Sequence, residues 1–270
     1  MTLVLQVSDP HFGTEQAPVL QALIQLVREQ SPGVLILSGD ITQRARTRQF
    51  EAASSFVRTL AIPLNLVVPG NHDIPLLNLP ARLLTPYGNF KRAFGDDLEP
   101  EVSTPELLVI GVNTTRRWRH KHGQVSDVQI KAVGDRLATA TPRQLRVVVV
   151  HQPVHVPLVS DANNLLRNHD LAIRAWSEAG ADMVMGGHIH LPYVHPLHEV
   201  LHGLPRRIWC VQAGTALSSR VRRQAPNSVN LLRYSADRLP QSCHAEQWDF
   251  NAEQARFELR YGSELLLQRP

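Results

Sequence analysis

Leu64-Asn65-Leu66-Val67-Val68-Pro69-Gly70-Asn71-His72-Asp73 is the stretch that decides how this chain is read. An apolar run stops at Pro-Gly and then delivers an amide, an imidazole and a carboxylate in succession. The first half reads as a buried strand, and the glycine as the point where the backbone turns sharply off it. The same grammar recurs four more times. Leu3 to Val7 runs into Ser8-Asp9-Pro10-His11, and Val34 to Leu37 into Ser38-Gly39-Asp40. Val147 to Val150 runs into His151-Gln152-Pro153, and Met183 to Met185 into Gly186-Gly187-His188-Ile189-His190.

Helical patterns separate these strands. Pro18 opens one, with Val19, Leu20, Leu23, Ile24 and Val27 at helical spacing until Ser31-Pro32-Gly33 ends it. Phe50, Ala53, Phe56, Val57 and Leu60 mark a second, and Ala81 to Phe94 reads as a third. Leu107 to Val112 is a further strand. Ser126 and Gln129 form a capping-box pattern that opens another helix, and one more is expected around Asp170 to Glu178. From Arg206 the character changes. Ile208 to Val211, Val229 to Tyr234, Ala245 to Phe250 and Phe257 to Tyr261 read as successive strands of a mostly antiparallel sheet. The expectation is one α/β domain over residues 1–270, with two sheets packed together and helices outside. Blocks 9–190 would carry the chemistry, and the strand-rich part 206–261 would complete the second sheet.

Composition agrees with a globular chain. Its 270 residues, 43% hydrophobic, suffice for one substantial core. Apolar runs such as Val147 to Val150 fall far short of the roughly 20 residues a membrane span needs. The start lacks a basic leader, so no secretory signal is expected. Two cysteines, Cys210 and Cys243, are too few for a disulfide framework, which makes a reducing cytoplasm the expectation. The net charge is +4, and only Lys91, Lys121 and Lys131 are lysines among 28 basic residues. An arginine-rich surface favours anionic ligands. Charge this dispersed does not favour a nucleic-acid binder. No interface pattern stands out from the core pattern, so the oligomeric state is open.

In open α/β sheets, ligands bind beyond the carboxyl ends of the strands. Five strands that deliver polar groups at that one edge therefore predict a single constellation. Imidazole with carboxylate and amide oxygen suits Mn, Fe or Zn, and the absence of thiolates argues against a structural zinc knot. Two metals about 3.5–4 Å apart require a bridging ligand, and a carboxylate has two oxygens for that purpose.

At this point the sequence resembles the calcineurin-like metallophosphoesterases, whose signature is Asp-x-His, Gly-Asp, Gly-Asn-His-Asp/Glu, His and Gly-His-x-His. The blocks run from Asp9 to His190. The resemblance implies a four-layer αββα sandwich of two mixed sheets flanked by helices. It implies two divalent or trivalent ions, with Asp9, His11 and His190 on the first, Asn71, His151 and His188 on the second, and Asp40 bridging both. His72 would face the substrate as the catalytic group, oriented by Asp73. The compact chain and the His122-Gly123-Gln124-Val125-Ser126 stretch look most like bacterial class III cyclic-nucleotide phosphodiesterases. Where the family pattern has His-His-Pro, this chain has His151-Gln152-Pro153, which touches substrate contacts rather than metal binding.

The implied chemistry is hydrolysis of a phosphodiester by a hydroxide that bridges the two ions. The expected partner is a small phosphorylated substrate, with a cyclic nucleotide the first to try. A nuclease, a phosphomonoesterase or a nucleotide-sugar pyrophosphatase on the same site are the alternatives, and a scaffold without catalysis is the remote one. Asn113, Arg116 and His122, in a loop that leaves a strand, are candidates for substrate contact, with Trp118 available for stacking. The Arg220 to Arg223 run reads as a solvated charge run. His155 reads as a loop histidine; His195, His198 and His202 lie close together in sequence but lack an accompanying carboxylate pattern.

Overall fold

The computed structural model describes residues 1–222 and 225–268. In chain order the strands are β1 (Thr2–Val7), β2 (Val34–Ser38), β3 (Leu64–Val68), β4 (Glu101–Ser103), β5 (Leu107–Gly111), β6 (Leu145–Val149), β7 (Met183–Gly186), β8 (Tyr193–Pro196), β9 (Trp209–Gln212), β10 (Ser228–Tyr234), β11 (Ser242–Asn251) and β12 (Arg256–Leu266). The helices are α1 (Ala17–Gln30), α2 (Thr47–Leu60), α3 (Leu79–Leu84), α4 (Gly88–Phe94), α5 (Asp127–Leu137), α6 (His169–Glu178) and α7 (Leu197–Val200). The strands form two six-stranded mixed sheets, ordered β12-β11-β10-β1-β2-β3 and β4-β5-β6-β7-β9-β8.

The period of two along each strand builds the layers. Leu3, Leu5 and Val7 of β1 point outward and pack with Leu23, Val27, Phe50 and Phe56 of α1 and α2. Val4 points the other way, into a core shared with Val147, Val149, Met183 and Met185 of the opposite sheet. Val148 and Val184 face outward again, against Ile130 and Val133 of α5 and Ile173 and Trp176 of α6. Helix, sheet, sheet and helix thus form the expected four layers, with β1, β6 and β7 each feeding two cores.

The parallel pairs β1–β2–β3 and β6–β7 bring five carboxyl ends to one edge. Beneath that edge the inner face turns polar. Gln6 donates from Nε2 to Ser38 Oγ (3.1 Å) and to the carbonyl of Gly186 in the other sheet (3.0 Å), pinning the two sheets to each other.

The capping box forms as expected: Gln129 N donates to Ser126 Oγ (3.3 Å) and Ser126 N to Gln129 Oε1 (3.0 Å). Three features differ from the sequence reading. The helix expected over 81–94 is split into α3 and α4, because Thr85 precedes Pro86 and the residue before a proline is pushed out of helical backbone. The strands β4 and β8, of three and four residues, are too short to carry a strand pattern and were not expected. The strand-rich C-terminal part does not complete one sheet: β9 joins the second sheet, whereas β10 crosses over to pair antiparallel with β1. The physical reason is that β1 has an open side after pairing with β2, and β10, buried at every position but Arg233, supplies a partner for it. No helix among the described residues is long and apolar enough to cross a membrane.

Candidate metal centre

Each block delivers its side chains to the same spot. Asp9, His11 and His190 converge in one cluster, and Asp40, His151 and His188 in another. In the first, His190 Nε2 lies 3.3 Å from Asp9 Oδ1 and 3.1 Å from His11 Nε2. In the second, His151 Nε2 lies 3.2 Å from Asp40 Oδ1 and 3.3 Å from Asn71 Oδ1. Asp40 belongs to both: Oδ2 faces His11 Nε2 at 3.8 Å while Oδ1 faces His151. The seven residues expected to be ligands are therefore brought together, with the carboxylate of Asp40 between the two groups.

The backbone at this edge is strained. Asp9, His11, Asp40, His188 and His190 all adopt left-handed conformations, with φ of 49°, 43°, 47°, 72° and 54°. Side chains other than glycine rarely occupy that region, and such strain persists only where the surroundings enforce it. Two glycines permit the close approach. Gly39 has φ 91°, and a Cβ there would meet the His151 imidazole. At Gly187 a Cβ would meet Ser8 Oγ and Asp9 Oδ2.

Backbone carbonyls set the histidine tautomers. His151 Nδ1 lies 2.9 Å from Ser38 O, His190 Nδ1 2.7 Å from Arg220 O, and His72 Nδ1 3.0 Å from Gln43 O. A carbonyl only accepts, so each Nδ1 carries the proton and each Nε2 presents its lone pair to the centre. Asp9 is oriented likewise: Oδ2 accepts from Ser8 Oγ (2.7 Å) and His188 N (2.9 Å), leaving Oδ1 directed inward.

These donors fit a pair of cations. Asp9 Oδ1 and both ring nitrogens of His188 are buried without a hydrogen-bond partner. Stranding buried polar atoms is costly unless something else engages them. The electrostatics agree. Burial opposes ionisation of Asp9, yet the positive field of His190 and His151 brings its carboxyl down to about 2. Burial likewise opposes ionisation of Asp40, but His151 and His72 hold it well below the usual carboxylate range. Burial depresses His11 and His188 to about 3, keeping them neutral. His151 is buried too, but Asp40 overrides the desolvation and lifts it to about 9; Asp9 raises His190 in the same way. Two carboxylates thus demand compensating positive charge, which metal ions bound to these donors would supply.

His72 sits beside the cluster, its ring edge-on to His11 at 4.9 Å between centroids. Its orientation comes from Gln43 O, not from Asp73. Asp73 instead accepts from Gly70 N (2.8 Å), Ile41 N (3.0 Å), Thr42 N (2.8 Å) and Thr42 Oγ1 (2.9 Å). Burial, reinforced by Asp40, raises its carboxyl to about 6 despite those donors. Asp73 therefore clamps the loop after β2 to the loop after β3 and acts on His72 only through the backbone.

The cleft over the centre has a volume of about 880 Å³, and Arg44, His120, Lys121, Arg220 and Arg222 contribute to its walls. The three residues expected to contact substrate lie elsewhere. Asn113 is buried, its Oδ1 accepting from Thr115 N and Oγ1. Arg116 donates to the carbonyls of Asn113 and Thr115 and to Gln129 Oε1, so its guanidinium braces the loop. His122 is exposed outside the cleft, and Trp118 is also exposed. Gln152 explains why the loop nevertheless reaches the cleft: its side chain accepts from Thr114 Oγ1 (2.5 Å) and donates to Lys121 O (3.3 Å). His155 stacks on His195 at 4.4 Å, away from the cleft walls. His198 bonds with Ile208 N, and His195, His198 and His202 form no joint cluster among the described residues.

Arg220 is the residue that sequence reasoning passed over. Its carbonyl accepts from His190 Nδ1, and its Nη1 lies 3.4 Å from His11 Nε2, 3.4 Å from His72 Nε2 and 3.0 Å from Gln43 Oε1. Arg222 is held instead by Asp161 Oδ1 (2.6 Å) and Ile189 O (3.0 Å). Arg223 of the same run lies outside the described residues.

Residues 2–192 match the family model described as calcineurin-like phosphoesterase. The curated proteins contain no match to the sequence. Among solved structures, the fold is similar to that of purple acid phosphatase PPD1 from yellow lupin (Lupinus luteus) seeds, with TM-score 0.68 and 11% identity over 97% of this chain and 53% of that one. The chain thus spans about half the length of the lupin protein. A dimetal phosphatase from Danio rerio superposes with TM-score 0.64 and 14% identity over 99% of both chains. Wild-type Vps29 from Entamoeba histolytica, complexed with Zn2+, gives 0.51 and 12% over 98% and 99%. At these identities the likeness is one of fold.

Proposed function

The chain belongs to the calcineurin-like phosphoesterase family, and from that premise we propose that it hydrolyses phosphodiester bonds with two metal ions. The observation that carries this reading is Asp40, whose Oδ2 faces His11 and whose Oδ1 faces His151 within overlapping groups of histidine and carboxylate donors. Asp9, His11 and His190 would hold one ion, Asn71, His151 and His188 the other, and Asp40 both; the donor set suits Mn, Fe or Zn. When bound, such ions stabilise charge that develops on phosphoryl oxygens and acidify water enough to make it a nucleophile near neutral pH.

The remaining work falls to residues of the cleft. With Nδ1–H of His72 committed to Gln43 O, proton gain and loss are confined to Nε2, which faces the cleft and can donate to a leaving oxygen. The Arg220 guanidinium beside it adds fixed positive charge for the phosphoryl group. A cyclic mononucleotide is the first diester to assay, on the resemblance to bacterial class III cyclic-nucleotide phosphodiesterases. We read the whole chain as one domain acting in a reducing cytoplasm, a reading supported by two buried cysteines that are both free thiols.

The test combines metal analysis of the purified protein with hydrolysis of bis(p-nitrophenyl) phosphate and p-nitrophenyl phosphate in the presence of manganese. Two ions per chain and preference for the diester are expected. Preference for the monoester overturns the diesterase reading, and bound metal without activity on either ester overturns catalysis.

A further inference from the structure

We propose that the cleft continues past Arg44 into a second subsite for the non-reacting arm of the substrate, which makes a linear phosphodiester with a second phosphate the preferred class. This rests on the phosphodiesterase reading and narrows it.

Charge balance is the first observation. Four cations line the cleft, Arg44, Lys121, Arg220 and Arg222, against two acids, Asp40 and Asp161. Asp40 belongs to the metal donors, and Asp161 is engaged by Arg222 at 2.6 Å. Arg220 has only the neutral amide of Gln43 and neighbouring imidazoles. The side chains of Arg44 and Lys121 have no hydrogen-bond or ion-pair partner among the described residues. Three positive charges therefore face one cavity without a carboxylate of their own, a field suited to an anion with more charge than one diester group.

The second observation is a neighbouring groove of about 630 Å³ that shares Arg44 as a common wall. Its other side chains include Arg46, Thr47, Pro75, Leu76 and Leu77. Arg46 also lacks a side-chain partner among the described residues, whereas Pro75, Leu76 and Leu77 offer apolar surface. A cationic edge beside apolar surface suits a nucleoside attached to phosphate. Each cavity lies within the roughly 300–1,000 Å³ that accommodates a small ligand, so one nucleoside unit does not require both. Arg44, at their junction, is placed for a phosphate between the reacting centre and that arm.

The chemistry is unchanged. The oxygen of water bonds to phosphorus, the ester P–O bond breaks, and the leaving oxygen takes a proton; no oxidant or reductant is required.

The experiment compares a deoxyadenosine dinucleotide with and without a 5′-phosphate on the manganese-loaded protein. Wild type is expected to prefer the phosphorylated form in kcat/KM by about 10-fold or more, mainly through KM, as one charged hydrogen bond implies. Arg44→Ala should bring that ratio close to 1, Arg44→Lys should restore part of it, and Arg174→Ala on α6 should leave it intact. A wild-type ratio near 1, or a ratio unchanged in Arg44→Ala, overturns the subsite. If neither dinucleotide is hydrolysed, the phosphodiesterase reading fails separately. Calorimetric titration of the 5′-phosphorylated form then decides the subsite: weaker binding to Arg44→Ala supports it, and equal binding to both proteins overturns it.

Discussion

The two halves of the metal centre are built differently. The half made by Asp9, His11 and His190 owns a carboxylate, and all three residues hold left-handed backbone. The half made by Asn71, His151 and His188 has a neutral amide in the corresponding place, and only His188 among them is so strained. Asp40 is shared. Affinity for a hard cation rises with the number of charged ligands and the rigidity of the cage. The first half is therefore expected to hold an ion more tightly than the second.

The strongest way to break this asymmetry is to remove what the halves share. Asp40→Ala is expected to lose both ions and to reduce turnover on the order of 10⁴-fold, read by metal analysis and steady-state rates. Retention of one ion would show that the halves bind independently of the bridge. Next in size is His72→Ala, which should keep both ions while turnover falls about 10²-fold; loss of metal would make His72 a ligand instead. Chelation addresses the asymmetry directly. Titration with EDTA should remove one ion before the other, and Asn71→Asp should bring the two steps together by giving the second half its own charge. Loss of both ions in one step from wild type would refute the difference.

The smallest expected effect falls on the clamp between the loops that carry Asp40 and Asn71. Asp73→Asn exchanges one carboxylate oxygen for an amide among three backbone N–H donors and a hydroxyl. It should cost about 1–3 kcal/mol of stability in denaturant unfolding. Turnover at full metal loading should change far less than in His72→Ala.

The convergence of these seven residues was legible in the sequence because each follows an apolar run, and a strand end is a place as well as a pattern. His72 was legible for the same reason. Asp73 was not, since its partners are main-chain amides of Ile41, Thr42 and Gly70, which carry no side-chain signature. Arg116 and Arg220 both stand in arginine-rich loops, yet the sequence favoured the first for substrate contact and read the second as solvated charge. The first is surrounded by carbonyls that consume its donors, whereas the second meets imidazoles and a lone amide. What separates them is the route of the chain between β9 and β10. That segment leaves one sheet and enters the other, and so it must pass over the metal edge. The C-terminal strands read as one antiparallel unit, which hid the crossing. The cores were legible as continuous apolar runs, which mark strands buried on both faces without stating which face meets helix and which meets sheet.

The pairing of β1 with β10 also has a consequence for biosynthesis. Thr2 lies opposite Tyr234, so the strand that leads into Asp9 keeps one edge bare until most of the polypeptide has been made. Thr215 and Ala216, which bond to the carbonyls of Asp9 and Ser8, emerge almost as late. At roughly 5–20 residues per second, the ribosome leaves that edge without its partner for about 10–45 s. Over that interval the nascent chain exposes an apolar ribbon open to mispairing. The carbonyls of Ser8 and Asp9 therefore gain these partners only once that late segment has arrived.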